Sequence, residues 1–313
     1  MSLRSLTDIQ AEALNLGFCA AGVARAQTVD ARHAEAFMAM IDSGRAAGMD
    51  YLKRNIEKRL DPTLLHPGAR WIISVAMNYK PAVRISKDQY QIAAYAYGKD
   101  YHEVMKERLH MLAEKLMLTD YKTCCDTAPV MERYWAERAG VGYVCRNHQL
   151  MVPGVGSMVF LGEIITADEL IIDDQRPTTN DQRPTTNDQR PTTCPSPCLR
   201  ACPTKAFDDE GGFDARRCLS YLTIENHGDI PQEMAAKMGG YIYGCDCCQL
   251  ACPGNNDTPP TQEALFMPSE KLLAMRKDDW HNLTEDEYRL LFKGSAVKRA
   301  KYTGLMRNIN LKR

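Results

Sequence analysis

The chain has 313 residues, 44% of them hydrophobic, which is enough for one large domain or for a core domain with a smaller module. Its 39 basic and 40 acidic side chains nearly cancel, so net charge announces no polyanion partner, and any nucleic-acid surface must come from local clustering. The start of the chain has no apolar core behind a basic segment, being interrupted by Asp8, Gln10 and Glu12, and no stretch of about 18 apolar residues follows. The expectation is a cytoplasmic protein without an export signal or a membrane contact.

Residues 5–25 predict an amphipathic helix running into a short apolar stretch, and residues 31–42 a second helix ended near Gly44. The run from Trp71 to Tyr79 is continuous and β-favouring, bounded by Pro67-Gly68 and Pro81, and predicts a buried central strand. Residues 101–118 place Val104, Met105, Leu109, Leu112 and Leu116 at helical spacing, and residues 157–165 predict another strand. Helix and strand alternate, so the first half is expected to be a layered α/β or α+β domain. Residues 173–193 are three near-identical heptads ending in Arg-Pro-Thr-Thr. They carry no apolar a and d positions and one proline per repeat, which predicts a polar, extended linker in place of a coiled coil.

Twelve cysteines in a reducing compartment point away from disulfides, and eight of them fall between Cys194 and Cys252, which reads as metal binding. Cys245, Cys248 and Cys252 form C-x-x-C-x-x-x-C-P, and Cys198 and Cys202 end in the same x-x-x-C-P manner. That spacing is the one used by two-cluster ferredoxins, in which the cysteine before proline serves the other run's cluster. By that pattern one cluster takes Cys202, Cys218, Cys245 and Cys248. The other has Cys194, Cys198 and Cys252, with Cys247 or nothing as fourth ligand, because a full run would need cysteines where Thr192 and Pro195 stand. A four-thiolate zinc site is the competing reading.

Asp126 precedes a segment with Pro129 in its first turn, which by spacing predicts a helix running towards Gly140 with Asp126 as its N-cap. A proton-donating carboxyl is the alternative. The glycines from Gly140 to Gly162 predict tight turns or close backbone approach, without a phosphate loop. Near the C-terminus Lys293, Lys298, Arg299, Lys301, Arg307, Lys312 and Arg313 occur without an acid, with Tyr302 among them, a cluster suited to phosphate contacts.

Taken together, Asp126-Thr127-Ala128-Pro129-Val130-Met131-Glu132-Arg133, the stretch from Gly156-Ser157 to Leu161-Gly162-Glu163, the segment Asp214 to Glu225, and Tyr243-Gly244-Cys245 resemble the epoxyqueuosine reductase family. Gly48-Met49-Asp50-Tyr51, Gly98-Lys99-Asp100-Tyr101-His102 and the segment Gly294 to Arg299 extend the resemblance over nearly the whole chain. The resemblance implies an α+β protein with a cobalamin-binding, nitroreductase-like catalytic domain over 1–172, the linker 173–193, a ferredoxin-like module over 194–256, and a helical segment with a basic tail over 257–313. It further implies reduction of epoxyqueuosine to queuosine at the wobble position of tRNA. Cobalamin and two 4Fe-4S clusters would be the cofactors, and an external low-potential electron donor would supply a monomeric enzyme. Asp126 matches the family's proton-donating aspartate, and Arg59, Asn147, Ser220 and Asp246 are the implied cobalamin contacts. The chain departs from the family in its incomplete first cysteine run, its repeated linker and Cys145, which stands where glycine is usual. It also ends without the helical-repeat extension of longer members. Two rival readings stay open at this level, a reductive-dehalogenase-like cobalamin enzyme and a non-enzymatic two-cluster electron carrier.

Overall fold

In the computed structural model, which describes residues 4–172, 194–208 and 211–312, the apolar run beginning at Trp71 lies inside a four-stranded antiparallel sheet. The repeated linker 173–193 and Arg313 lie outside the described residues. The first elements are α1 (Leu6–Asn15), β1 (Ala20–Arg25), α2 (Ala31–Asp42), the short α3 (Ile56–Leu60) and α4 (Pro62–Leu65), and β2 (Trp71–Asn78). There follow β3 (Gln91–Ile92), α5 (Tyr101–Lys115), β4 (Tyr121–Cys124), α6 (Glu132–Arg138), the hairpin strands β5 (Tyr143–Val144) and β6 (Leu150–Met151), and β7 (Val159–Thr166). Beyond the linker come α7 (Pro197–Arg200), α8 (Leu219–Ile224), α9 (Gln232–Lys237), β8 (Tyr241–Tyr243) and α10 (Cys247–Leu250). Four helices close the chain, α11 (Glu270–Ala274), α12 (Lys277–His281), α13 (Glu285–Leu291) and α14 (Lys301–Asn310).

The chain divides into two units that are not consecutive in sequence. Residues 1–41, 51–78 and 102–195 form one, and residues 42–50, 79–101 and 196–313 form the other.

In the first unit the sheet runs β1-β2-β7-β4. Every residue of β2 from Trp71 to Met77 is buried, because the strand is central and both faces of the sheet are covered. Ile72, Ala76 and Ile165 pack with Tyr134, Trp135 and Ala136 of α6 on one face. On the other face Met105 and Leu109 of α5 approach so closely that a Cβ on Gly162 would stand 3.0 Å from each. A continuous β-favouring run, apolar except at Ser74, therefore marks double-sided burial here in an antiparallel sheet, although parallel sheets are its commoner setting.

The glycine-rich stretch shows the close approach expected of it. A Cβ on Gly142 would stand 2.2 Å from the carbonyl oxygen of Met151, so only glycine lets the β5–β6 hairpin close.

In the second unit β3 and β8 pair in parallel, Gln91 with Tyr241 and Ile92 with Tyr243. The buried Asn308 of α14 ties this pair to α8, its Nδ2 donating to the carbonyls of Thr223 at 2.9 Å and Ile242 at 2.8 Å. The basic cluster is partly consumed inside this unit. Arg299 binds Glu225 in a bidentate pair at 2.9 Å, and Arg307 donates to the carbonyls of Leu222, Asn226 and Gly228. Lys293, Lys298 and Lys301 stay exposed.

Candidate active site

Directly opposed residues of antiparallel strands share one face of the sheet. Gly22, Ser74, Glu163 and Cys124 therefore form a single row across β1, β2, β7 and β4, on the face covered by α6. At the C-terminal end of α6, a Cβ on Gly22 would stand 2.1 Å from the carbonyl oxygen of Ala139. Towards its N-terminal end the helix brings Glu132 within electrostatic reach of Glu163. Glu163 is fully buried, and neither carboxylate oxygen has a hydrogen-bond partner in the structure; the Ser74 hydroxyl beside it is likewise unpartnered. An unpaired buried ion is strongly disfavoured. Burial, reinforced by the Glu132 charge, accordingly holds the Glu163 carboxyl well above the ordinary carboxylate range.

The loop between β4 and α6 carries Asp126. Its position corrects the N-cap expectation: α6 begins at Glu132 with Met131 at the cap position, and no side chain caps it. Two tight three-residue turns stand there instead, Thr127 N–H donating to the Cys125 carbonyl at 2.6 Å and Val130 N–H to the Ala128 carbonyl at 2.8 Å, so the backbone does not enter the helix until Glu132. Asp126 instead takes left-handed backbone with φ 57°, a conformation that costs a non-glycine residue about 1–2 kcal/mol and is least unfavourable for Asp and Asn. The conformation is held by a hydrogen bond from the Asp126 N–H to the carboxylate of Glu132. The Asp126 side chain is left 59% exposed, with Oδ2 3.2 Å from Nε2 of His102, the second residue of α5. Burial and the Asp126 charge raise the half-buried Glu132 carboxyl to about 7.

Arg59, on α3, belongs to the same neighbourhood. Burial lowers its pKa while Tyr51, Glu132 and Asp126 oppose that shift, and its Nη1 donates to the Val130 carbonyl at 3.5 Å. Its Nε is buried without a partner in the structure. Asn147 sits buried at the tip of the β5–β6 hairpin, where its Oδ1 accepts the Gln149 N–H at 3.2 Å. Arg133 tethers that hairpin to α6 by donating to the His148 carbonyl at 2.7 Å. Cys145 is half-buried in the same hairpin turn, its N–H donating to Gln149.

The cysteines after the linker lie on or beside short helices. Cys198 is buried in α7, and Cys202 follows that helix and accepts the Ala206 N–H on its sulfur at 3.3 Å. Cys218 precedes α8, and the backbone N–H groups of Tyr221 and Ser220 favour its thiolate against a larger opposing effect of burial. The Cys248 thiol is pushed up to about 12 by burial and then by Cys218, Cys202, Asp246 and Cys198. Cys245 is raised by Cys247 first and by burial, with Cys218 adding to it. As the side chains stand, no three of His, Cys, Asp or Glu among the described residues are grouped so as to hold a metal ion. Iron takes thiolates, so these raised thiols would have to give up their protons on loading. Asp246 is buried among them, bound by Arg84 and by the Ala94 N–H at 2.9 Å. Cys194 is exposed, and Cys252 and Cys247 are intermediate.

Comparison with known proteins decides between the readings. A family model described as epoxyqueuosine reductase QueG, DUF1730, matches residues 59–127, and a 4Fe-4S double cluster binding domain matches residues 190–255. The epoxyqueuosine reductase of Cellulophaga algicola is 36% identical over 306 residues, covering 96% of this chain and 96% of the relative. The chain belongs to the epoxyqueuosine reductase family. The Escherichia coli member is 33% identical, with 95% of this chain matching 77% of that one. The solved epoxyqueuosine reductase from Streptococcus thermophilus has a TM-score of 0.82 at 28% identity, covering 97% of this chain and 80% of the other. Another solved member, in complex with an epoxyqueuosine-modified tRNA-Tyr stem loop, matches with the same TM-score of 0.82. A Bacillus subtilis member, TM-score 0.81, has its aspartate-bearing catalytic loop swung out of the active site. This family member is thus an oxidoreductase of α+β fold with a double-cluster 4Fe-4S domain, and neither the dehalogenase-like nor the electron-carrier reading is favoured. Two residues of the Asp126 neighbourhood, His102 and Glu132, had no sequence signal beyond lying inside family-like motifs.

Proposed function

We propose that the chain reduces epoxyqueuosine to queuosine at the wobble position of tRNA in the cytoplasm, with Asp126 as proton donor. The observation that carries this reading is the exposed Asp126 carboxyl, held off the helix in left-handed backbone beside His102, in a chain 36% identical to an epoxyqueuosine reductase. Removing an epoxide oxygen as water takes up two electrons and two protons. Asp126 donates one proton to the departing oxygen, and His102, at 3.2 Å, is placed to orient the carboxyl and to return a proton to it. When bound, cobalamin supplies reduced cobalt able to act on carbon, and the clusters supply one-electron relay.

Taken one by one, the expected residues carry donor chemistry that suits these cofactors, and thiolates suit iron. The orphaned Arg59 Nε offers a buried donor in need of an acceptor, and Asn147 offers a buried amide. Ser220 offers a half-buried hydroxyl at the start of α8. The Asp246 carboxylate is already bound by Arg84 and Ala94, so its contribution is to fix the loop between Cys245 and Cys248. Cys202, Cys218, Cys245 and Cys248 would ligate one cluster, and Cys194, Cys198 and Cys252 the other. Lys293, Lys298 and Lys301 would meet tRNA phosphates. The chain would act as a monomer drawing on an external low-potential electron donor, and among the described residues no helix is long and apolar enough to cross a membrane.

The test is nucleoside analysis of epoxyqueuosine-containing tRNA incubated with reduced protein, with iron and cobalamin counted on the same sample. Queuosine should appear in proportion to enzyme; loaded protein that forms none would reject the proposal.

A further inference from the structure

The mechanism uses the Asp126 carboxyl but leaves two acids of the same neighbourhood unassigned, Glu132 and Glu163. Both belong to one arrangement. The row Gly22, Ser74, Glu163, Cys124 runs under α6, and the close seat of Ala139 on Gly22 fixes how that helix lies on the sheet. Glu163 projects from the row, fully buried, with both oxygens unpartnered, and Glu132 lies in the first turn of the helix above it. The Glu132 carboxylate accepts the Asp126 N–H, a hydrogen bond from the residue whose backbone is left-handed.

We infer that Glu132 and Glu163 form a carboxyl pair carrying one negative charge and one proton, and that its charge, on Glu132, is the positioning clamp for Asp126. Glu163, without any donor to stabilise an anion, keeps the proton; Glu132 keeps the charge because the Asp126 amide binds it. A carboxylate accepts an N–H more strongly than a neutral acid does, so protonation of Glu132 loosens the loop. The groups acting on Glu132 are Asp126, whose charge favours its neutral form, and Arg133 and His102, which favour its anion; the buried thiols of Cys124 and Cys125 also face it, and Arg59 adds positive charge from α3. The balance brings Glu132 to about 7, so the clamp forms as pH rises through neutrality.

The inference rests on Asp126 being the proton donor, and two readouts separate it from that reading. Hydrogen exchange of the peptide spanning residues 121–131 reports the clamp without reference to turnover. Protection there should fall at least threefold in Glu132→Ala and less in Glu132→Gln, which keeps the acceptor and loses the charge. Unchanged protection in Glu132→Ala would overturn the clamp, whatever Asp126 does. The pH profile of single-turnover queuosine formation reports the charge. The parent should show a limb rising with pH through about 7, and Glu132→Gln should lower the plateau about tenfold and abolish that limb. An unaltered limb in Glu132→Gln would assign it to another group and reject the inference. Infrared spectroscopy should show a protonated buried carboxyl in the parent at pH 8 that disappears in Glu163→Gln; persistence of that band would place the proton elsewhere and end the pair.

Discussion

Nε2 of His102 stands 3.2 Å from Oδ2 of Asp126, a contact between the start of α5 and the loop after β4 that joins residues 24 positions apart. It leaves the aspartate exposed on one side and partnered on the other, an arrangement suited to a group that must hand over a proton and regain it.

Asp126→Asn should retain iron and cobalamin and lose turnover by about 100-fold or more, the usual contribution of a general acid. Asn tolerates left-handed backbone as Asp does and keeps the N–H that Glu132 binds, so the loop should stand. Single-turnover queuosine formation checks this, and activity within threefold of the parent would remove Asp126 from the chemistry.

Gly22→Ala should destabilise the protein by about 1–3 kcal/mol, as overpacking does. The new methyl would stand 2.1 Å from a backbone oxygen of Ala139, which cannot rotate away as a side chain would. Thermal unfolding measures the loss. Hydrogen exchange should place it in β1 and α6, because those are the two elements forced apart.

Glu163→Gln should make the protein more stable than the parent at pH 8, with the difference vanishing on acidification. Glu163 has a folded pKa raised by burial. Above its unfolded value of about 4.3 the unfolded chain loses the proton while the folded chain keeps it, so parental stability falls with rising pH. The slope in that window is about 1.4 kcal/mol per pH unit. Gln carries no such proton, and unfolding curves of the two proteins between pH 5 and about 8 should diverge accordingly; parallel curves would show that Glu163 ionises in the fold.

Cys248→Ala should remove one cluster and stop turnover. Burial first, and then Cys218 and Cys202, raise the Cys248 thiol, and both cysteines belong to the set expected to share a cluster with Cys248 and Cys245; Cys198 of the other set also acts on it. Iron content should drop by about four atoms per chain, the content of one cube, and electron paramagnetic resonance should lose the corresponding signal. Unchanged iron would break that ligand set.

The sequence by itself determined the elements that depend on local pattern: the apolar run at Trp71 became a central strand, the spacing of Val104, Met105, Leu109 and Leu112 became α5, and the cysteine spacing announced a double-cluster domain. Short-range steric and ligation rules act within a few residues, so they are legible in a string. Tertiary structure alone decided that Ser74, Glu163 and Cys124 stand in one row, that His102 meets Asp126, and that Arg299 and Arg307 serve the fold. It also decided that Asp126 precedes its helix by a loop instead of capping it. The reason is physical. Burial and electrostatic neighbours set the protonation of Glu163 and Glu132, and both come from strands and helices whose partners lie tens of residues away, where no spacing rule reaches.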